Sequence, residues 1–147
     1  MDLQLNGKTA VVTGSSKGLG FASAKALAAE GCRVCICARG EASLAEAAAE
    51  LRKVASPEAV LEVTADLSTA GGAEKVVNAA LQKFGAIDIL VNNVGAAKGA
   101  GIVDTPDAVW QEAFDQTLYP AIRMSRLVVP HMKKQGSGSI VMIASIW

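Results

Sequence analysis

Aromatic residues make up only 4% of this chain, histidine occurs once, and no apolar run approaches the roughly 20 residues that a membrane-spanning helix needs. The scarcity of histidine narrows the catalytic options. His131 is the one imidazole available to a Ser-His-Asp arrangement, and it lies in a helical stretch where spacing supplies no paired acid, so it reads as a surface or interface residue. Cysteine is nearly as scarce. Cys32, Cys35 and Cys37 crowd into "GCRVCICAR", and although Cys32 and Cys35 match C-x-x-C, the run is strand-like, whereas a redox pair uses a helix N-terminus to stabilise its thiolate. Alternation puts Cys35 and Cys37 on one face, and no second pair exists elsewhere, so the three read as buried small hydrophobes with no metal set. Charge of one sign is also missing: fourteen basic residues balance fourteen acidic ones. That excludes the basic footprint of a nucleic-acid binder or an anionic-membrane binder. The opening "MDLQLNGK" lacks the basic-then-apolar layout of a signal peptide. The expectation is a soluble cytoplasmic protein that acts through a pocket on a small molecule.

The 51% hydrophobic content over 147 residues suits one domain with a real core. Short β-branched runs alternate with alanine-rich segments of helical period. The runs are "KTAVVT" (8–13), "RVCICA" (33–38), "AVLEVTA" (59–65), "IDILVN" (87–92) and "SIVMIAS" (139–145). Between them Leu44, Ala47, Ala48 and Leu51 recur at i, i+3, i+4 and i+7, and Ala73, Val76, Val77, Ala80, Leu81 and Phe84 form a second stripe. Strands with few polar residues on either side require helices over both faces of a parallel sheet. The pattern therefore predicts an α/β fold with a doubly wound parallel sheet. Gly31 should close the first helix and Gly85 the third, and Pro106 should open a fourth over about 107–134 that Pro120 kinks or splits.

In such a sheet ligands bind beyond the carboxyl ends of the strands. After the first strand comes "TGSSKGLG", with Gly14, Gly18 and Gly20 in a turn that opens into a helix. Glycines let backbone N–H groups approach a ligand, and the helix N-terminus favours an anion, which together suit a pyrophosphate. A purely structural turn is the competing reading of this loop. The second strand ends "CARG", where an NAD enzyme would place an acid for the ribose 2′-hydroxyl; this chain offers Ala38 and Arg39, with Lys17 in the loop as a second cation. A 2′-phosphate needs cations, so NADP(H) is preferred over NAD(H), with two solvated surface charges as the alternative. Asp66, after the third strand, is placed to meet an adenine amino group, and Asn92, Asn93 and Gly95 end the fourth.

"TGSSKGLG", "ADL", "NNVG" and "SIVMIAS", in this order and at these separations, resemble the short-chain dehydrogenase/reductase superfamily, in its common short-subunit branch and similar to 3-oxoacyl reductases. The resemblance runs from about Leu5 to Trp147 and implies a Rossmann fold that is truncated after the fifth strand. It implies that Gly14, Ser16, Lys17, Gly18, Leu19 and Gly20 hold the cofactor phosphates, with Arg39 on the extra phosphate. Asp66 and Leu67 would meet adenine, and Asn93 and Gly95 would line the nicotinamide-ribose side, with Val94 replacing the usual alanine. The chemistry it implies is hydride transfer between nicotinamide and a carbonyl or alcohol carbon. A serine steadies the substrate oxygen, a position matched by Ser145, and a downstream Y-x-x-x-K pair handles the proton.

Two departures matter. No Y-x-x-x-K pair follows Ser145, and Tyr119, upstream and followed by Arg123, does not match it. Thr117 stands where the family has an asparagine that anchors a proton-relay water. The chain is thus expected to be a single NADP-binding domain, incomplete at its C-terminus, with the catalytic pair beyond residue 147 in a remaining segment of the same protein. An end at Trp147 would leave "SIVMIAS" as an unpaired apolar edge, which supports that expectation. The 147-residue piece alone should be inactive, and a non-catalytic nucleotide-binding module is the alternative. Trp110, Phe114, Leu118, Ile122 and Val129 exceed what one buried helical stripe needs, so a homodimer or homotetramer is expected.

Overall fold

The protein is described by a computed structural model that covers residues 2–96 and 100–144. Five strands, β1 (Thr9–Thr13), β2 (Arg33–Ala38), β3 (Val60–Thr64), β4 (Ile89–Asn92) and β5 (Ser139–Met142), form one sheet in the order β3-β2-β1-β4-β5. Every pairing is parallel. Four helices connect them: α1 (Gly18–Ala29), α2 (Glu41–Leu51), α3 (Ala70–Phe84) and α4 (Asp107–Gln135). This is the doubly wound arrangement that the alternation of runs predicts. The chain order reverses between β1 and β4, which opens a crevice above their carboxyl ends.

Alternation within the strands builds two cores. Val11, Cys35 and Cys37 point to the side covered by α3 and α4, where Val76, Val77, Met124 and Val128 meet them. Ala10, Val12, Val34 and Ile36 point to the side covered by α1 and α2, against Ala24, Ala28, Leu44 and Leu51. Cys32, just before β2, packs in this second core. The strand interiors carry almost nothing charged because both faces are covered.

Gly31, at φ +84, follows the end of α1; its N–H bonds the Ala28 carbonyl, while the Cys32 N–H reaches back to Leu27. This pair of bonds satisfies carbonyls that a helix end would leave open. Gly85 (φ +79) closes α3 in the left-handed conformation, as expected. Gly136 does the same for α4, a stop that sequence reading did not single out. Pro106 precedes the first residue of α4 and accepts from the Trp110 N–H.

Two expectations need correction. Of the kink or split expected at Pro120, the split is absent: the fourth helix runs unbroken through both Pro120 and Pro130. Pro120, Met124, Val128 and Met132 form one buried ridge at four-residue spacing, and burial of that ridge holds the axis together despite the lost amide hydrogen bonds. The fifth strand also ends at Met142 rather than running through 145, and residues 145–147 lie outside the described residues. The strand is exposed along most of its length.

All three cysteines are free thiols and buried. Burial pushes the Cys37 thiol up to about 12, and it raises Cys35 well above the ordinary range. Cys32 is raised as well, by burial first and then by the nearby Asp88 carboxylate. Raised thiols carry little thiolate and react slowly. In the folded protein at about pH 8, Cys35 and Cys37 should take up no iodoacetamide over a period that fully alkylates glutathione, while urea should expose all three. Mass spectrometry of the labelled protein checks this, and rapid native labelling at Cys37 would contradict the packing.

Candidate functional site

After Thr13 the chain bends through residues 14–17 and enters α1 at Gly18. Gly14 (φ +59) and Gly18 (φ +60) adopt left-handed backbone that side-chain-bearing residues resist. The bend is strapped down on both sides. Toward β2, fully buried Ser15 donates its N–H to the Cys37 carbonyl at 3.1 Å. Its hydroxyl donates to the Val12 carbonyl at 2.6 Å and accepts the Cys37 N–H at 3.0 Å. Toward β4, Thr13 Oγ1 accepts the N–H groups of Asn93 (2.9 Å) and Val94 (3.1 Å) and donates to the Val91 carbonyl at 3.3 Å. Asn93 answers by donating its side-chain amide to the carbonyls of Thr13 (3.2 Å) and Gly14 (3.0 Å).

The crevice above this bend is a cavity of about 450 Å³, within the usual range for small-molecule sites. Of the residues singled out from sequence, Gly14, Ser16 and Lys17 line it from the bend, and Arg39 lines it from the end of β2. Asp66 and Leu67 line it after β3, and Asn93 and Gly95 after β4. Four loops, distant in sequence, thus meet around one space. Gly18, Leu19 and Gly20 are not in its lining. Leu19 is 68% exposed, and Gly20 is buried where an added Cβ would come within 2.4 Å of Asn93 Nδ2 and the Gly14 carbonyl oxygen. Gly20 therefore lets α1 start directly beneath the bend. Lys17 and Arg39 are both exposed, and among the described residues neither forms an ion pair. The first turn of α1 has no side-chain cap, so its N–H groups keep their capacity to bind an anion.

Asp66 is held by its own loop. Hydrogen bonding from Ser68 keeps its carboxyl below the ordinary carboxylate range, and the Arg39 charge adds to this. The Ser68 N–H reaches Asp66 Oδ1 at 3.0 Å. Thr69 caps α3, accepting the Gly72 N–H at 3.1 Å and donating to the Asp66 carbonyl at 2.9 Å. A Cβ at Gly72 would lie 1.8 Å from the Asp66 carbonyl oxygen, so only glycine lets α3 begin this close. From the opposite side Arg123 donates to the Ser68 carbonyl at 2.6 Å while its guanidinium lies 5.1 Å from the centre of the Tyr119 ring. Tyr119 and Arg123 are thus engaged with each other and with this loop.

Thr117 does not line the cavity. Its hydroxyl donates to the Ala96 carbonyl at 3.1 Å and accepts the Ala96 N–H at 3.3 Å, which ties α4 to the segment after β4. Ser145 lies outside the described residues. Sequence reading missed Ser43, Ser68, Ala96 and Gln116, all in the cavity lining, as well as the strapping by Thr13 and Ser15. The adjacency of Ser43 to "CARG" was a usable signal. Gln116 gave none, because α4 is brought to the cavity by tertiary packing. Among the described residues no cluster of histidine, cysteine and carboxylates suits a metal, and no helix is long and apolar enough to cross a membrane.

A family model described as short chain dehydrogenase matches residues 8–147. D-beta-hydroxybutyrate dehydrogenase of Cupriavidus necator is 40% identical over 141 residues, which are 96% of this chain and 54% of that protein. The crystal structure of L-sorbose reductase from Gluconobacter frateurii, complexed with NADPH and L-sorbose, superposes with a TM-score of 0.91 at 40% identity, covering 99% of this chain and 55% of that one. An actinorhodin polyketide ketoreductase with NADPH gives 0.88 at 33% identity, with 99% and 55% coverage. The chain spans about half the length of the curated relatives it matches.

The strapping by Thr13 yields a test. Thr13→Val keeps the shape but leaves the Asn93 and Val94 N–H groups without their acceptor, and should cost about 2 to 4 kcal/mol, while Thr13→Ser should cost under about 1. Urea unfolding of the complete protein measures both. A larger loss in Thr13→Ser than in Thr13→Val would show that the methyl group, not the hydroxyl, matters.

Proposed function

The chain belongs to the short-chain dehydrogenase family, and from that premise we propose that it forms the cofactor-binding part of an NADP(H)-dependent oxidoreductase of carbonyl or alcohol substrates. The observation that carries the cofactor choice is the pair of exposed cations, Lys17 and Arg39, on the wall of one cavity, with Ala38 where an NAD enzyme would have an acid. A 2′-phosphate between them would gain two charge-assisted hydrogen bonds. The bend from Gly14 to Gly18 and the uncapped first turn of α1 fit a pyrophosphate, and Asp66 fits an adenine amino group. NADPH in the sorbose reductase and the ketoreductase supports the same reading.

When bound, the nicotinamide would supply or accept the hydride. The residues of this chain bind and orient it: the bend holds phosphates, while Asn93 and Gly95 border the ribose side. Ser145 would steady the substrate oxygen, and a Tyr-Lys pair in the remaining half of the complete protein would move the proton. A small ketone, such as a 3-oxoacyl compound, is the substrate class. Exposed Trp110 (40%), Phe114 (46%) and Leu118 (49%) on α4 support self-association as a dimer or tetramer. Three free thiols are compatible with a reducing cytoplasm.

Arg39→Ala and Lys17→Ala in the complete protein should each weaken NADPH binding about ten- to hundredfold and change NADH binding less than about threefold. Calorimetric titration with both cofactors decides this. Equal losses for the two would overturn the phosphate assignment, and wild-type protein that binds NADPH but oxidises it with no ketone would point to a non-catalytic nucleotide-binding module.

A further inference from the structure

The hydrogen bonds of the loop from Asp66 to Thr69 are nearly all local. Ser68 donates its N–H to Asp66 Oδ1, and Thr69 donates both its N–H (3.3 Å) and its hydroxyl to the Asp66 carbonyl. The N–H groups of Gly72 and Ala73 close back onto Thr69. Bonds of such short range fix the shape of a loop but not its place in the molecule. Buried Leu67 seats this one in the core beneath α3 and α4. Among the described residues, one hydrogen bond alone reaches Asp66–Thr69 from outside residues 66–73: Arg123 Nη1, on α4, donates to the Ser68 carbonyl at 2.6 Å, across 55 positions of sequence.

Ser68 links the two ends of this connection. Its carbonyl takes the guanidinium, while its N–H, one peptide earlier, holds the Asp66 carboxylate. No carboxylate competes for Arg123, which forms no ion pair among the described residues. Instead its guanidinium lies 5.1 Å from the centre of the Tyr119 ring, one turn back on α4. A ring at that distance attracts the cation and orients its planar fork, leaving the N–H groups for a backbone oxygen. Arg123 itself is not in the cavity lining. We propose that Arg123 is a positioning residue for cofactor binding: through Ser68 it sets where the Asp66 carboxylate stands in the cavity, and Tyr119 orients it for that task. This inference rests on the dinucleotide reading above.

Hydrogen exchange and ligand binding, both on the complete protein, test the two links separately. Arg123→Met keeps the aliphatic stem and removes the donors. It should speed amide exchange in residues 66–69 about threefold or more and leave β1 unchanged. It should also weaken adenosine 2′,5′-bisphosphate, which carries the base and the 2′-phosphate but no nicotinamide, about three- to tenfold by calorimetry. Arg123→Lys retains a charged donor and should restore most of both. A residue that only fills space beside α3 would make the two variants exchange and bind alike, which overturns the positioning role. Unchanged exchange at 66–69 in Arg123→Met overturns it as well, and so does faster exchange with unaltered affinity. Wild-type protein that binds neither the bisphosphate nor NADPH overturns the cofactor reading and this inference with it.

Discussion

A buried hydroxyl holds the two halves of the sheet together where their order reverses. Thr13 Oγ1 sits at the end of β1 and takes two N–H groups from the chain leaving β4, at 2.9 and 3.1 Å. Beyond the ends of β1 and β4 the regular ladder stops, and without a partner those backbone donors would be buried at a cost. Asn93 returns the favour through its amide, so the bend after β1 and the segment after β4 are tied into one piece. Ser15 extends that piece to β2. The cavity inherits its shape from these three side chains, none of which needs to touch a ligand with its hydroxyl or amide to matter.

The same economy appears in the glycines. Gly14 and Gly18 supply backbone angles, while Gly20 and Gly72 supply absence of volume, letting a helix begin against a carbonyl that any side chain would displace. These are different physical demands, although a glycine-rich motif shows them alike. Glycine at Gly20 supports the loop from below, and at Gly72 it sets how closely α3 approaches the Asp66 loop.

The strands, the helices between them and the parallel, doubly wound sheet were legible in the sequence because the apolar runs are short, β-branched and two-sided, which calls for a sheet covered on both faces. Helix ends at Gly31 and Gly85 were legible too, since a left-handed stop after an alanine-rich run has few alternatives. At Pro120 the missing N–H predicts a kink or a split; the split does not occur, because the ridge that Pro120 shares with Met124, Val128 and Met132 is buried as a unit, and packing outweighs one lost bond. At the site, Lys17, Arg39 and Asp66 could be read because each lies in the short loop that follows a strand. Gln116 and the Arg123 tether could not, because nothing in the linear pattern of a long helix says which of its turns meets a loop 55 residues earlier.

Lys17 and Arg39 stand outside both cores, solvent-facing and free of ion pairs among the described residues. Substitutions there disturb no packing and strand no buried partner. Whatever anion preference the cavity has is therefore written on a part of the molecule that natural variation can rewrite quickly, while the straps at Thr13, Ser15 and Asn93 keep the frame constant beneath it.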